Sequence, residues 1–277
     1  IEELEALPLL GPEKARAHAL AVQLSQRVNP DSSPRLALRV LIRRFLAGPS
    51  DSAALAQLST AEAWATSEGL TAEATQIQLI WCTTVGRSHP EAVNLQMLDK
   101  AIANAAQTNA FPVERLLAKA TRHSNQADTL LREAIDLMDH PRWVAQRFCA
   151  LLDLASAHIR GADTQGGHIA LQEALCIADE HNDPEALIVA HTRLGLLHLE
   201  QGQTTKAQPH LEAALKTARR EEDDLNTVLT SSLLCAIYMN QDDPVRAGET
   251  ADGLLIAGAR RANWFAVVDG HITRSTL

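Results

Sequence analysis

The sequence predicts an all-α protein, an α-solenoid of antiparallel helix pairs, because one pattern of apolar residues recurs every forty positions. The recurring pair is a leucine followed by a small residue, at Leu154-Ala155, Leu194-Gly195 and Leu234-Cys235. A fixed period of this size is typical of repeat arrays, in which each helical unit buries its apolar face against its neighbours. The chain is only 3% aromatic and has no alternating runs rich in Val, Ile and Tyr, so strands have little support.

The helix starts recur at a capping residue whose side chain can accept an N–H of the first turn. These caps are Asp183, Asp223, Asp243 and Asn263, and proline follows two of them, as is common at the first helical position. Short breaks at 161–164 and 201–204 separate the two helices of a unit. In chain order, helices are predicted near 12–28, 34–47, 51–68, 70–85, 91–107, 112–123, 125–138, 142–160, 164–181, 184–201, 204–221, 224–240, 244–259 and 262–271.

We expect these helices to form one array over residues 1–277. The repeat is clear over 141–260, divergent over 12–140, and partial over 261–277. No linker longer than about six residues interrupts the helices, a length typical of helix–helix connections. Because the chain starts at Ile1 rather than Met and ends within what would be another helix, we expect a piece of a longer protein.

The unit at 194–214 resembles the tetratricopeptide repeat. It reads Leu194-Gly195, then His198, Gly202, Ala207, Leu211 and Ala214 at the spacing of that family. Family units usually have 34 residues, and longer units resemble the helical regions of bacterial signalling proteins, such as maltose-activator-type transcription regulators and peptide-sensing regulators. The resemblance implies a right-handed superhelix and a bacterial signalling role.

Few residues point to catalysis or metal binding. His158 and His198 share a repeat position with Tyr238, which favours packing of a ring between two helices over a histidine pair for metal or proton transfer. Phosphate-loop, dinucleotide and nucleophile-elbow motifs are absent, and so is a His-Glu-x-x-His motif. We therefore predict no enzyme activity, no cofactor and no metal.

Composition indicates a cytoplasmic protein that does not bind nucleic acid. The formal net charge is −9, and no apolar run approaches the ~20 residues of a membrane span. The four cysteines stand far apart with no Cys-x-x-Cys, which favours free thiols in a reducing compartment.

One basic segment stands out against the acidic chain. Residues 13–44 contain seven basic and two acidic side chains, a net charge of +5. Arg35, Arg39 and Arg43 follow one another at four-residue intervals, so they form one stripe of a helix beside Arg44. We predict that these four arginines form a basic docking patch for an acidic partner; the alternative is a solvated face balanced by counterions or by acidic turns.

A second candidate surface follows from the resemblance, which implies a concave groove lined by the first helix of each unit. The implied groove residues are Cys149, Leu152, Ser156, Ile159, Arg160, Val189, Thr192, Arg193, Leu196, Leu199, Leu229, Ser232, Ala236 and Met239. This set is mostly apolar, which suits an amphipathic or extended segment of a partner. Burial of the same residues against the next unit is the alternative.

The sequence thus favours a non-catalytic scaffold or sensor module that binds a peptide or protein segment. The alternative is a ligand-sensing regulatory domain of a bacterial signalling or transcription regulator. Homodimerisation and the identity of the partner are left open.

Overall fold

The computed structural model describes residues 2–48, 52–88 and 95–275, and its regular secondary structure in these ranges is entirely helical. Fifteen α-helices and two short 3-10 turns, at Ser124–Gln126 and Pro141–Trp143, follow one another in the described ranges. The α-helices are α1 Glu2–Ala6, α2 Pro12–Arg27, α3 Pro34–Ala47, α4 Ser52–Ser67, α5 Thr71–Ser88, α6 Leu95–Thr108, α7 Pro112–Arg122, α8 Ala127–Asp136, α9 Val144–Arg160, α10 Thr164–Glu180, α11 Pro184–Glu200, α12 Thr204–Arg220, α13 Asp224–Asn240, α14 Pro244–Arg260 and α15 Trp264–Ser275.

The predicted all-α class is confirmed. All fourteen predicted helices have a counterpart, and the first residues of the helices predicted at 51–68 and 91–107 lie outside the described ranges. Helix α1 was not predicted, because a single turn of five residues carries no periodic pattern.

The chain divides into two compact units, residues 1–167 and 168–277. Helix α10 begins at the end of the first unit and continues into the second. The two units are described separately below, and the single array of 1–277 stays a prediction.

From residue 144 onwards the helices begin every twenty residues, and the turns between them have one geometry. Each turn contains one residue with a left-handed backbone, at Ala162, Asn182, Gly202, Glu222, Asp242 and Ala262. The residue after it donates its N–H to a carbonyl five residues back, as Gln203 does to His198 at 2.8 Å. This is the Schellman pattern, which satisfies the last carbonyls of the preceding helix.

The residue that follows the left-handed one also caps the next helix in five of the six turns. The side chains of Asp163, Asp183, Asp223, Asp243 and Asn263 each accept the backbone N–H three residues on, at 2.9–3.2 Å. One residue therefore ends one helix and starts the next, which explains why the helix starts could be located from the sequence.

In the second unit, small residues allow the helices to approach closely. A Cβ added at Gly195 in α11 would lie 2.7 Å from Leu211 of α12, well inside van der Waals contact. The neighbouring hydrophobic core consists of the buried residues Leu211, Leu215, Leu234, Ile237, Tyr238 and Ala247. The leucine–small–aromatic pattern of the sequence is thus the packing pattern of these helix pairs.

In the first unit, residues 2–10 pack onto helices far from them in the chain. Leu4, Leu7 and Leu9 are buried in a cluster with residues of α2 and α3, and Ala145 of α9 packs against that cluster. Helix α1 also contacts the 3-10 turn at 141–143. The N-terminal residues therefore contact both α2 and α3 at the start of this unit and the beginning of α9.

None of the described helices combines the length and the apolar character needed to cross a bilayer.

Candidate functional site

The candidate site is a cavity of about 520 Å³ inside the first unit. Its wall comes from α1, from the alternate helices α3, α5, α7 and α9, and from the turns before α7 and α9. Ligand sites are typically clefts of ~300–1,000 Å³ with an apolar wall and a few polar groups. This cavity has both: Phe111, Trp143 and Leu46 beside carboxylates, amides and arginines.

Two of the arginines predicted as a docking patch line this cavity. Arg39 donates from Nε to a carboxylate oxygen of Glu5 at 2.8 Å and from its second nitrogen to the other oxygen, so the pair is bidentate. Arg43 is 8% exposed and donates to the backbone carbonyls of Leu4, Glu5 and Leu7. Burial lowers the pKa of Arg43 to about 10. Arg43 therefore holds the N-terminal residues in place.

The other two members of the predicted patch differ in exposure. Arg35 is 74% exposed and pairs with Glu73 at 3.4 Å, and Arg44 lines a separate small cavity beside His18. The four arginines thus differ in burial: Arg43 is buried, Arg39 pairs with Glu5 while about half exposed, and Arg35 is the most exposed. Docking of an acidic partner by this patch stays a prediction, and Arg35 is its most exposed member.

Three acceptor groups face the cavity from three helices: Glu73 of α5, Glu114 of α7 and Gln146 of α9. The Oε2 atom of Glu73 and the Oε1 atom of Gln146 are buried and have no hydrogen-bond partner. Glu114 is 8% exposed and accepts from Nε2 of Gln76 at 3.1 Å. Burial raises the pKa of Glu114, and the bond from Gln76 opposes that shift.

A smaller cavity of about 160 Å³ is lined by several of the same residues. Leu46, Glu114, Trp143 and Gln146 line both spaces, and Cys149 lines the smaller one. Cys149 was predicted as a groove residue and Arg39 as a patch residue. One member of each predicted surface thus lines one of two cavities that share several wall residues.

The remaining groove residues of the first unit lie further along α9. Leu152 is buried, Ser156 donates to the carbonyl of Leu152 at 2.9 Å, and Ile159 is close to Gly167. Arg160, at the end of the helix, is exposed.

In the second unit, the predicted groove residues range from buried to exposed. Thr192 is buried with an unpartnered hydroxyl, whereas Leu229 is 43% exposed. Ser232 donates to Asp269 at 2.9 Å. Arg193 and Ala236 are exposed, and Val189, Leu196, Leu199 and Met239 are partly buried. A groove function for these residues stays a prediction.

The ring at the shared aromatic position is mostly enclosed in all three units, and the side chain of His158 is 9% exposed. His198 and Tyr238 are both buried, and each has one polar bond at the rim, to Gln203 and to Glu212 respectively. His158 instead lies between two carboxylates, with Nδ1 at 2.7 Å from Asp163 and Nε2 at 3.0 Å from Asp128.

A cluster of four histidines in the second unit escaped the sequence analysis. The ring centroids of His168 and His198 lie 5.3 Å apart, those of His198 and His210 lie 5.7 Å apart, and those of His210 and His191 lie 5.3 Å apart. His191 and His210 also approach to 3.0 Å between their Nδ1 atoms. Residues at similar distances from the turn at 201–203 face each other in an antiparallel pair, and this rule could have revealed His191 and His210.

The four rings do not form a metal site, because no group of three or more His, Cys, Asp or Glu side chains in the described ranges has a metal-binding arrangement. All four cysteines are free, and burial raises the pKa of Cys82 and of Cys235 to about 11. These two thiols are therefore protonated at neutral pH and poor nucleophiles.

Comparison with known proteins bears on this architecture. No protein-family model and no curated protein matches the sequence. Over 95% of its length the chain is similar to a signal transduction ATPase with numerous domains (STAND) and a tetratricopeptide repeat sensor, from Pyrococcus horikoshii, with a TM-score of 0.61 and 12% identity. It is likewise similar over 95% of its length to a Rap protein complexed with competence and sporulation factor, with a TM-score of 0.52 and 12% identity. The fold is tetratricopeptide-repeat-like.

The likeness at 12% identity establishes the fold alone. The chain spans 50% of the STAND protein and 92% of the Rap protein. The predicted α-solenoid class is confirmed by these tetratricopeptide-repeat-like neighbours, and what either neighbour binds is a property of that neighbour.

Proposed function

We propose that the chain is a non-catalytic binding module of the sensor type, which takes a short peptide segment of a partner into the cavity of the first unit. The observation that carries this proposal is the cavity itself. At about 520 Å³ it has the volume of a ligand cleft rather than of a packing defect. A few residues of an extended segment fit this volume, and a folded domain does not.

The composition of the wall supports binding rather than catalysis. Phe111 and Trp143 offer flat apolar surfaces, and Arg142 lies over the ring of Trp143 with 4.8 Å from Cζ to the ring centroid. Aromatic and arginine side chains are the most frequent binding hot spots. The one thiol nearby, Cys149, lines only the adjoining space.

The neighbours of the same fold are consistent with a sensor role. One contains a tetratricopeptide repeat sensor, and the other is a Rap protein with a bound factor. Together with the forty-residue spacing of the second unit, they support the narrower interpretation of a long-repeat signalling module. The four free thiols support a reducing, cytoplasmic setting.

The alternative function is a regulatory domain that senses a small molecule. The same cavity favours it, because the volume also matches that of a cofactor-sized ligand. The two functions differ in what must occupy the cavity, and one experiment separates them.

The test is a selection of short peptides from a random library against the intact 277-residue chain, followed by a variant that fills the cavity. Leu46 lines both spaces, so Leu46→Trp should occupy part of them. We expect selected peptides to bind the parent chain and to lose at least tenfold in affinity for Leu46→Trp. A matched control is Leu225→Trp, which adds the same side chain at a position 54% exposed in the second unit.

Peptides that bind Leu46→Trp as tightly as the parent would remove the cavity as their site and direct attention to Leu229 and Ala236 in the second unit. If selection produces no binder, the peptide-binding function is wrong. Stabilisation of the chain by a small-molecule library, abolished by Leu46→Trp, would then favour the alternative.

A further inference from the structure

Resting on the proposed function, we infer that the cavity of the first unit selects a primary ammonium group of the bound segment, held by Glu73, Glu114 and Gln146. The ammonium is supplied by a lysine side chain or by the amino terminus of a peptide. This specificity differs from that of the basic patch, which was predicted to attract an acidic partner.

The first argument is that the cavity contains buried acceptors with no donors. Oε2 of Glu73 and Oε1 of Gln146 have no hydrogen-bond partner, although the other oxygen of Glu73 lies 3.4 Å from Nε of Arg35. Buried polar atoms are almost always satisfied, so unpaired ones in a cavity wall call for a partner. Both atoms accept hydrogen bonds, and a ligand that donates would satisfy them.

The second argument concerns the charge of Glu114. Its carboxyl group is buried, and its bonds to its own backbone N–H and to the neutral amide of Gln76 leave it without a cation in direct contact. Among the described residues, Arg142 is the cation whose charge lowers the pKa of Glu114, and its influence is the weakest of those on that pKa. An ammonium brought into the cavity would provide the missing opposite charge, which strongly favours the ionised carboxylate.

The third argument is that two of the three arginines of the wall already have hydrogen-bond acceptors, while Arg142 lies over the ring of Trp143. Arg39 forms its bidentate pair with Glu5, and Arg43 donates to three carbonyl groups. The buried lining atoms without a hydrogen-bond partner, Oε2 of Glu73 and Oε1 of Gln146, are both acceptors. An ammonium carries three rotatable donors and no acceptor, which matches three acceptors on three helices.

The experiment measures binding of capped tripeptides to the intact chain by isothermal titration. The probes are acetyl-Gly-Lys-Gly-amide, its Nε-acetylated counterpart, and Gly-Gly-Gly-amide with a free amino terminus. We expect one-to-one binding of the lysine probe, of the free amino terminus, or of both, which identifies the source of the ammonium. Acetylation should weaken binding at least tenfold, because a charge-assisted hydrogen bond is lost.

Equal affinities for the charged and acetylated probes would overturn the inference, and so would the absence of measurable binding by either amine. Tighter binding of acetyl-Gly-Arg-Gly-amide than of the lysine probe would also overturn it, because a planar guanidinium would then be the preferred cation.

Variants connect the binding to the named residues. Glu73→Gln should lower the affinity for the amine probes about tenfold or more. Glu68→Gln removes the same charge at an exposed position and should leave the affinity unchanged. Gln146→Met removes the buried oxygen that has no hydrogen-bond partner. It should therefore raise the melting temperature of the free chain and lower its affinity for the probes. A variant with lowered affinity and lowered melting temperature would instead indicate that Gln146 is needed for packing.

The outcome that contradicts the ammonium inference differs from the outcome that contradicts the proposed function. If library-selected peptides need an open cavity but tolerate acetylation of every amine, the ammonium inference is wrong and the binding function stands. If no peptide depends on the cavity, the proposed function itself is wrong.

Discussion

At the scale of single residues, the same side chain type has different roles at three positions of one helical stripe. Arg35 is on the surface, Arg39 pairs with Glu5 in the cavity wall, and Arg43 is buried against backbone carbonyls. Their spacing in the sequence is regular, so the difference comes from what packs against each turn of α3. Residues 2–10, which lie outside the repeat, cover the C-terminal half of the stripe.

Arg43 is expected to be a major contributor to the stability of the first unit. Arg43→Ala leaves the carbonyls of Leu4, Glu5 and Leu7 without their donor, so it should lower the free energy of unfolding by about 2–4 kcal/mol. Thermal melts and proteolysis of the N-terminal residues measure this effect. Arg35→Ala is the control and should cost under ~1 kcal/mol, since the Arg35 side chain is 74% exposed. Equal effects of the two variants would show that residues 2–10 are not held by Arg43.

At the scale of helices and turns, the twenty-residue spacing depends on one turn geometry. Five of the six turns from 162 to 262 place a residue other than glycine in the left-handed region, and only Gly202 has the residue type that adopts it freely. The turns therefore carry conformational cost that the side-chain caps and Schellman bonds offset.

Relieving this cost should stabilise the second unit. Glu222→Gly, at a φ of 55°, removes the left-handed strain of an exposed residue and should raise the free energy of unfolding by about 0.5–1 kcal/mol. Urea unfolding of the variant measures this gain. Glu221→Gly, one residue earlier in the turn where φ is −88°, is the matched control and should be neutral or destabilising. A gain at position 221 equal to that at 222 would contradict the explanation.

The histidine cluster makes the α11–α12 pair sensitive to acid. Burial and then the neighbouring rings lower the pKa of His210 to about 4, and burial also lowers the pKa of His168 and of His191. Asp179 opposes the shift at His191, and Lys206 adds to the shift at His168. Because these rings take up protons more readily in the unfolded chain, their contribution to stability is complete above pH ~6.5 and falls as pH drops towards 4.

We expect the parent chain to lose about 1–2 kcal/mol of stability from His210 between pH 7 and pH 4, a figure discounted because the ring is only half-buried. His210→Gln should flatten this dependence without abolishing it, since His168 and His191 remain. Unfolding curves measured across this pH range for the parent and for His210→Gln test the effect. Equal losses of stability in the two proteins would contradict the prediction.

At the scale of the whole molecule, the free energy of unfolding of a repeat array is the sum of the contributions of its units and of the interfaces between neighbouring units. A helix that packs against fewer neighbours therefore contributes less. In the second unit, α11 and α12 pack closely at Gly195 and Leu211. Helix α15 leaves Phe265 90% exposed, and Val268 and Ile272 more than half exposed. The apolar surface of α15 is therefore incompletely buried.

Hydrogen exchange should reveal this gradient within the second unit. We expect the amides of α11 and α12 to exchange most slowly and those of α15 fastest, because local opening costs least where few apolar contacts are lost. Mass spectrometry of peptides from 184–220 and from 264–275 measures the two rates. Equal protection of the two segments would mean that α15 is stabilised by contacts other than burial.

The sequence by itself determined the helical class, most helix boundaries and the repeat positions that take small or large apolar residues from 141 to 260. These features depend on contacts within a helix, across one turn, or between helices adjacent in the chain, so they recur with the period and can be read from it. The capping residues from Asp163 to Asn263 and the close approach at Gly195 are of this kind.

Only the tertiary structure decided the burial of Arg43, the convergence of Glu73, Glu114 and Gln146 on one cavity, and the clustering of four histidine rings. The partners of Arg43 are 36–39 residues away in a segment without repeats, and the three acceptors come from three different helices, two of them in the divergent part of the sequence. Such contacts depend on the path of the chain in space. A period of forty residues records how neighbouring helices pack, but it does not record which side chains of different helices line one cavity.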